Sequence, residues 1–105
     1  RPRRWGRAKE AAMAAEKTEI RTFVVRNQLG MHARPASMFV KASNRFEAGI
    51  TVQKNGNVIN GKSIMGLMML AAEAGASLVV SATGSDAVEA LDALEKLFEE
   101  RFGED

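Results

Sequence analysis

Leu29-Gly30-Met31-His32-Ala33-Arg34-Pro35 carries the chain from a loop into a helix and sets its single histidine at the junction. A helix start leaves backbone N–H groups without partners and presents the positive end of the helix dipole, so an anion placed there meets ready donors. A phosphoryl group on the imidazole of His32 would be such an anion. Arg34 adds a charge-assisted contact, and Pro35 loses nothing in the first turn, where its missing N–H has no intrahelical partner. Gly30 allows close approach of backbone. An isolated Gly-x-His is otherwise an ordinary surface turn, so the flanking segments decide how to read it.

Outward from this stretch the periodicities change in an orderly way. Ile20 to Val25 favours a strand, and Ala33 to Phe46 places Ala36, Phe39, Val40, Ser43 and Phe46 at helical spacing. Ile50 to Lys54 alternates, Asn55-Gly56 is a hairpin signal, and Asn57 to Asn60 makes a short return strand. A helix is expected from Ile64 to Glu73, closed by Gly75. Ser77 to Ser81 reads as a buried strand. The last helix is expected from Asp86 to Phe102, with Val88, Leu91, Leu94, Leu97 and Phe98 as its core stripe. Asp86 and Glu89 have the spacing of a capping pair. The order β-α-β-β-α-β-α predicts an α+β fold with all three helices on one face of a four-stranded sheet.

Thr22-Phe-Val-Val25, the loop Arg26 to Gly30 and Met31-His-Ala-Arg-Pro35 together resemble the active-site signature of the HPr family, the histidine-containing phosphocarriers of the phosphoenolpyruvate-dependent sugar phosphotransferase system. Gly61-Lys-Ser-Ile-Met-Gly66 resembles the regulatory serine segment of the same family. The resemblance spans residues 19 to 102 and implies an open-faced two-layer sandwich with an antiparallel sheet. It also implies a relay, in which His32 accepts a phosphoryl group at Nδ1 from enzyme I and passes it to an enzyme IIA domain. Arg34 would orient the group, with Gly30, Ala33 and Pro35 stabilising it. Ser63 would be the target of a kinase/phosphorylase, and the modified form would engage a transcription regulator. Met31, Ile64, Met65 and Met68 would form an apolar docking face, rimmed by Arg45 and Lys62. The implied protein is a monomeric cytoplasmic carrier rather than an independent enzyme, with no metal or organic cofactor of its own. A mainly regulatory role, in a nitrogen-type relay or as a Ser63-controlled effector, is the alternative, and the His-Ala-Arg-Pro motif does not separate the two.

Composition agrees with one small domain. The chain has 105 residues, 46% hydrophobic and 27% charged, enough for one modest core. Without cysteine and with one histidine, neither a disulfide framework nor a thiolate or histidine-rich metal site is expected. The longest apolar stretch, Ile64 to Ala72, is interrupted by Gly66 and too short to span a bilayer. Residues 1–12 hold Arg1, Arg3, Arg4, Arg7 and Lys9 against Glu10, a net of +4, which leaves −2 for 13–105 out of the total of +2. The basicity therefore belongs to an extension, expected to be disordered over 1–18 with the domain covering 19–105 and Met13 a candidate start. It gives no support to nucleic-acid binding. Gly56 to Ser63 also satisfies G-x-x-x-x-G-K-[ST], the pattern of a nucleotide-binding loop. Here the pattern starts in a hairpin turn and crosses a strand, which argues against a loop between strand and helix.

Overall fold

Alternation of inward apolar and outward polar side chains builds the strands. The computed structural model describes residues 17–104, in the order β1 (Thr18–Val24), α1 (Ala33–Ser43), β2 (Gly49–Lys54), β3 (Asn57–Asn60), α2 (Ile64–Met69), β4 (Ser77–Thr83) and α3 (Ala87–Glu99), followed by a 3₁₀ turn over Arg101–Gly103. The strands form one antiparallel sheet in the order β1-β4-β2-β3. Registers run from Thr18↔Thr83 to Val24↔Ser77 between β1 and β4, and from Gly49↔Thr83 to Gln53↔Val79 between β2 and β4. This is the open-faced sandwich that the family resemblance implies. Most of the expected extension lies outside the described residues, but Thr18, assigned to it above, belongs to β1 and pairs with Thr83. No helix among the described residues is long and apolar enough to cross a membrane.

The helix-side face of the sheet is formed by Phe23, Ile50, Val52, Leu78, Val80 and Ala82, all buried. Phe98 of α3 is the hub above them. Its ring stacks on Phe23 at 4.8 Å and meets Phe39 of α1 at 6.1 Å and Phe102 at 5.0 Å, both edge-on. Each such pair is worth about 0.5–1.5 kcal/mol beyond the area it buries. On the rim, Arg21 joins Asp92 at 2.8 Å and Glu95 at 3.1 Å, which tacks β1 to α3 while contributing little to stability at so exposed a place.

Three helix expectations are corrected. The first helix stops at Ser43 rather than Phe46, because the amides of Arg45 and Phe46 bond only three residues back, to Ala42 and Ser43. In α3 the buried stripe is Ala87, Ala90, Leu91, Leu94 and Phe98. Val88 is 39% exposed, since it lies a hundred degrees round the helix from Ala87. The helix also stops at Glu99, short of Phe102.

α2 likewise ends early, at Met69 instead of Glu73. Ala71 turns out of the helix with φ 50°, and this exit buries Ala72. Lys54 caps the abandoned carbonyls, its ammonium donating to Leu70 O at 3.1 Å and Ala71 O at 3.0 Å. The hairpin behaves as the sequence predicts. Asn55 and Gly56 both have positive φ, the two-residue turn that matches strand twist.

Asp86 does not act as half of a capping pair. Its carboxylate makes no bond to its own helix and instead accepts from the amides of Glu47 and Ala48, each at 2.9 Å. It pins the α1–β2 loop to the start of α3. The Glu47 amide, helped by that of Ala48 and outweighing the cost of desolvation, holds the Asp86 carboxyl below the ordinary aspartate range.

A left-handed alanine is strained where glycine is not, so Ala71→Gly is expected to raise unfolding free energy by about 0.5–1 kcal/mol in urea titration. Because the folded Asp86 pKa is depressed, its contribution is complete above the ordinary aspartate pKa of about 3.9 and is lost as pH falls through the lower folded value. The melting temperature of Asp86→Asn is therefore expected to lie below that of the wild type at neutral pH and to converge on it below about pH 3.9.

Candidate functional site

The loop leaving β1 is built to deliver one residue. Gly30 donates to Asn27 O at 3.1 Å and adopts φ +72°. A Cβ there would stand 2.5 Å from Ala72 O, so the position is closed to side chains both by conformation and by space. The next amide, Met31 N–H, donates to the same Ala72 oxygen at 2.8 Å. Met31, expected on the docking face, is 4% exposed and belongs to the core. It precedes the helix cap, and with Ala36 four residues into the helix it occupies the positions of a hydrophobic staple.

His32 is the N-cap of α1, with φ −84° and ψ −170°, and its side chain makes no capping bond. The first intrahelical bond is Ala36 N–H to His32 O at 3.0 Å. Pro35 has no N–H to satisfy, and the amides of Ala33 and Arg34 find no acceptor among the described residues. Two donors thus stand free beside the imidazole. Arg34 is exposed and forms no ion pair among the described residues. The imidazole leans on a carboxylate, its Nε2 lying 3.0 Å from each oxygen of Glu104. Asn27, fully buried, donates from Nδ2 to Gly30 O at 2.6 Å and to Glu104 Oε1 at 3.1 Å. The site is therefore a helix N-terminus, an oriented histidine and a mobile-length cation, an arrangement suited to holding a tetrahedral anion on Nδ1.

The second motif opens α2, the helix that packs beside α1. Ser63 is its N-cap, the hydroxyl accepting from Gly66 N–H at 3.0 Å. Leu67 and Leu70 are buried, whereas Ile64 is 41%, Met65 74% and Met68 46% exposed. Met69 and Leu29, unassigned by the sequence reading, are exposed as well. Lys62 is more committed than a rim lysine, its ammonium donating to Phe46 O at 2.8 Å. Arg45 lies over the Phe46 ring at 5.9 Å. The nucleotide-loop alternative over Gly56–Ser63 is overturned. Gly56 sits in the hairpin turn and Asn57–Asn60 form β3, so no loop is left whose amides could cradle phosphates.

Comparison with known proteins agrees with this geometry. The family model described as the PTS HPr component phosphorylation site matches residues 20–100. The chain belongs to the HPr family. It is 42% identical over 86 residues to the phosphocarrier protein HPr of Treponema pallidum, covering 82% of this chain and 98% of that one. The crystal structure of HPr from Thermoanaerobacter tengcongensis superimposes with a TM-score of 0.80 at 41% identity, covering 83% of this chain and 98% of the other. Crh of Bacillus subtilis, solved as a swapped-domain dimer, matches with a TM-score of 0.64 at 43% identity over 73% of this chain and 88% of its own.

As an HPr-family protein, the chain is of phosphocarrier type and tied to the phosphotransferase system. Two members of its site escape a sequence reading. Asn27 lies inside the quoted loop region but carries no pattern beyond a turn preference. Glu104 lies 72 residues from His32, and no local signal connects them. Gly30→Ala is expected to lower unfolding free energy by more than 1 kcal/mol through strain and overlap with Ala72. In amide hydrogen exchange, Met31 should lose protection before the sheet does.

Proposed function

We propose that the chain carries a phosphoryl group on His32. It accepts the group from phosphohistidine on enzyme I, itself charged by phosphoenolpyruvate, and delivers it to a histidine on an enzyme IIA domain. What supports this most directly is the position of His32 at the head of α1, next to two free amides and Arg34. The Nδ1 lone pair attacks phosphorus, the donor's P–N bond breaks, and its electron pair returns to the donor ring. The Ala33 and Arg34 amides and the Arg34 guanidinium take up the charge of the phosphoryl oxygens, while Pro35 and Gly30 hold the turn that exposes them. Reversal toward the acceptor uses the same contacts.

Docking is assigned to the exposed face of α2. Ile64, Met65 and Met68 offer soft apolar contact to more than one partner, with Arg34 and Arg45 beside them for acidic partner surfaces. Lys62, held by Phe46 O, supports the Ser63 turn and contributes its charge from there. The carrier acts as a cytoplasmic monomer, with no metal or cofactor of its own.

A regulatory second reading is favoured by one observation, the Ser63 cap. Phosphate on that hydroxyl would sit at a helix start, where negative charge is tolerated, and would add charge beside the apolar face. A kinase/phosphorylase would place it, and a transcription regulator would read it. Likeness to Crh is compatible with this reading, but His32 is retained here, so the relay comes first.

Incubation with enzyme I, magnesium and phosphoenolpyruvate, followed by intact-protein mass spectrometry, tests the relay. One acid-labile phosphoryl group is expected on the wild type and none on His32→Ala. Absence of any gain with enzymes I from several sources would overturn the relay and leave regulation through Ser63.

A further inference from the structure

Leu70, Ala71, Ala72 and Glu73 are strong helix formers, yet α2 does not run through them. A continued helix would give Leu70 O to the amide of Ala74, Ala71 O to that of Gly75 and Ala72 O to that of Ala76. None of these bonds forms. Gly75 N–H donates to Val25 O at 2.7 Å and Ala76 N–H to Glu73 O at 3.0 Å. Ala71 takes a left-handed φ of 50°, which its Cβ disfavours. The turn before it is loose, with Leu70 N–H shared between Gly66 O and Leu67 O at 3.3 Å each. Local preference opposes the break, so a contact from elsewhere in the fold has to hold it.

Lys54, the last residue of β2, supplies that contact. Its ammonium donates to Leu70 O at 3.1 Å and to Ala71 O at 3.0 Å, with Glu73 Oε2 at 3.4 Å. The side chain is 15% exposed, unusually buried for a lysine. The two carbonyls it takes are ones that a continued helix would withdraw, so the ammonium binds the broken form and not the continuous one. The break in turn aims Ala72 O at Met31 N–H, 2.8 Å away. In a continuous helix the same oxygen would point along the axis toward Ala76, and the loop that ends in His32 would lose its clamp.

We infer that Lys54 is a positioning residue for the chemistry of His32: by holding Leu70 O and Ala71 O it keeps α2 broken, and so keeps Ala72 O on the Met31 amide that seats the histidine at the head of α1. This rests on the phosphocarrier reading above and deepens it. Lys54 acts through backbone alone and through no bond to the imidazole. Because α2 also carries the apolar face assigned to docking, one ammonium holds the end of the docking helix and the height of the histidine loop together.

Three variants of the full chain test this. Lys54→Met keeps the length of the side chain without a donor, and Lys54→Arg keeps donors for both carbonyls. The double variant Lys54→Met/Ala71→Gly restores the break by another route, since glycine accepts a positive φ and is a poor helix former. In Lys54→Met, hydrogen exchange at the Met31 amide is expected to quicken about tenfold, while the amides of β4, paired on both sides, keep their protection. Phosphorylation by enzyme I and phosphoenolpyruvate should slow about tenfold in kcat, as a misplaced reacting group implies, with little change in the KM for the chain. Lys54→Arg and the double variant should recover most of both. Wild-type Met31 protection or wild-type kcat in Lys54→Met would overturn the inference, and so would an equal loss of protection in β4, which would make Lys54 a source of overall stability only. Should Lys54→Met fail to fold, the double variant decides: native Met31 protection and kcat bear the inference out, and a folded chain with low kcat overturns it. A wild type that takes no phosphoryl group would overturn the carrier reading itself, an outcome distinct from a fast Lys54→Met beside an active wild type.

Discussion

Ala72 O is the point on which the site depends. It accepts the Met31 amide and lies where any Cβ on Gly30 would go, so it holds the loop before α1 at a fixed height over the core. Met31 is drawn inward by the same contact, and His32, next in sequence, is left at the helix cap with its ring outward. Ala72 in turn is available only because α2 breaks off early, through the left-handed turn at Ala71 and the lysine cap from Lys54. A strained residue just past one helix thus sets the position of the histidine that caps another.

The aromatic hub couples the same region to the sheet. Phe98 touches Phe23 of β1, Phe39 of α1 and Phe102 beyond α3. The strand that leads into the histidine loop, the helix that the histidine caps and the turn that returns Glu104 all rest on one ring. Site geometry is therefore a property of the core as a whole, and disturbance of any of these phenylalanines would reach His32.

The proposed functional surface has two parts. Around His32 the groups are held by backbone clamps, a buried asparagine and a carboxylate, as chemistry at a defined nitrogen requires. On α2 the exposed groups are methionines and an isoleucine on a six-residue helix, the soft apolar face to which docking is assigned above. Ser63 belongs to both, since its hydroxyl caps α2 and stands at the edge of the apolar face.

The strands, the hairpin, the helix starts, His32 and the Ser63 cap were all legible in the sequence, because each rests on interactions within a few residues: alternation, a turn dipeptide, an orphaned amide, a cap. Resemblance carried the family and the proposed chemistry further than pattern alone. Tertiary structure decided the rest. Met31 is inside because an amide 41 positions before Ala72 in sequence is clamped to it, α2 ends early where Ala71 turns left-handed and Lys54 of the hairpin takes its last carbonyls, and Asp86 abandons its own helix for two amides of a distant loop. Glu104 joins His32 only after the whole core has folded between them. Local patterns record what a segment can do alone, whereas these choices are settled by hydrogen bonds between segments far apart in sequence.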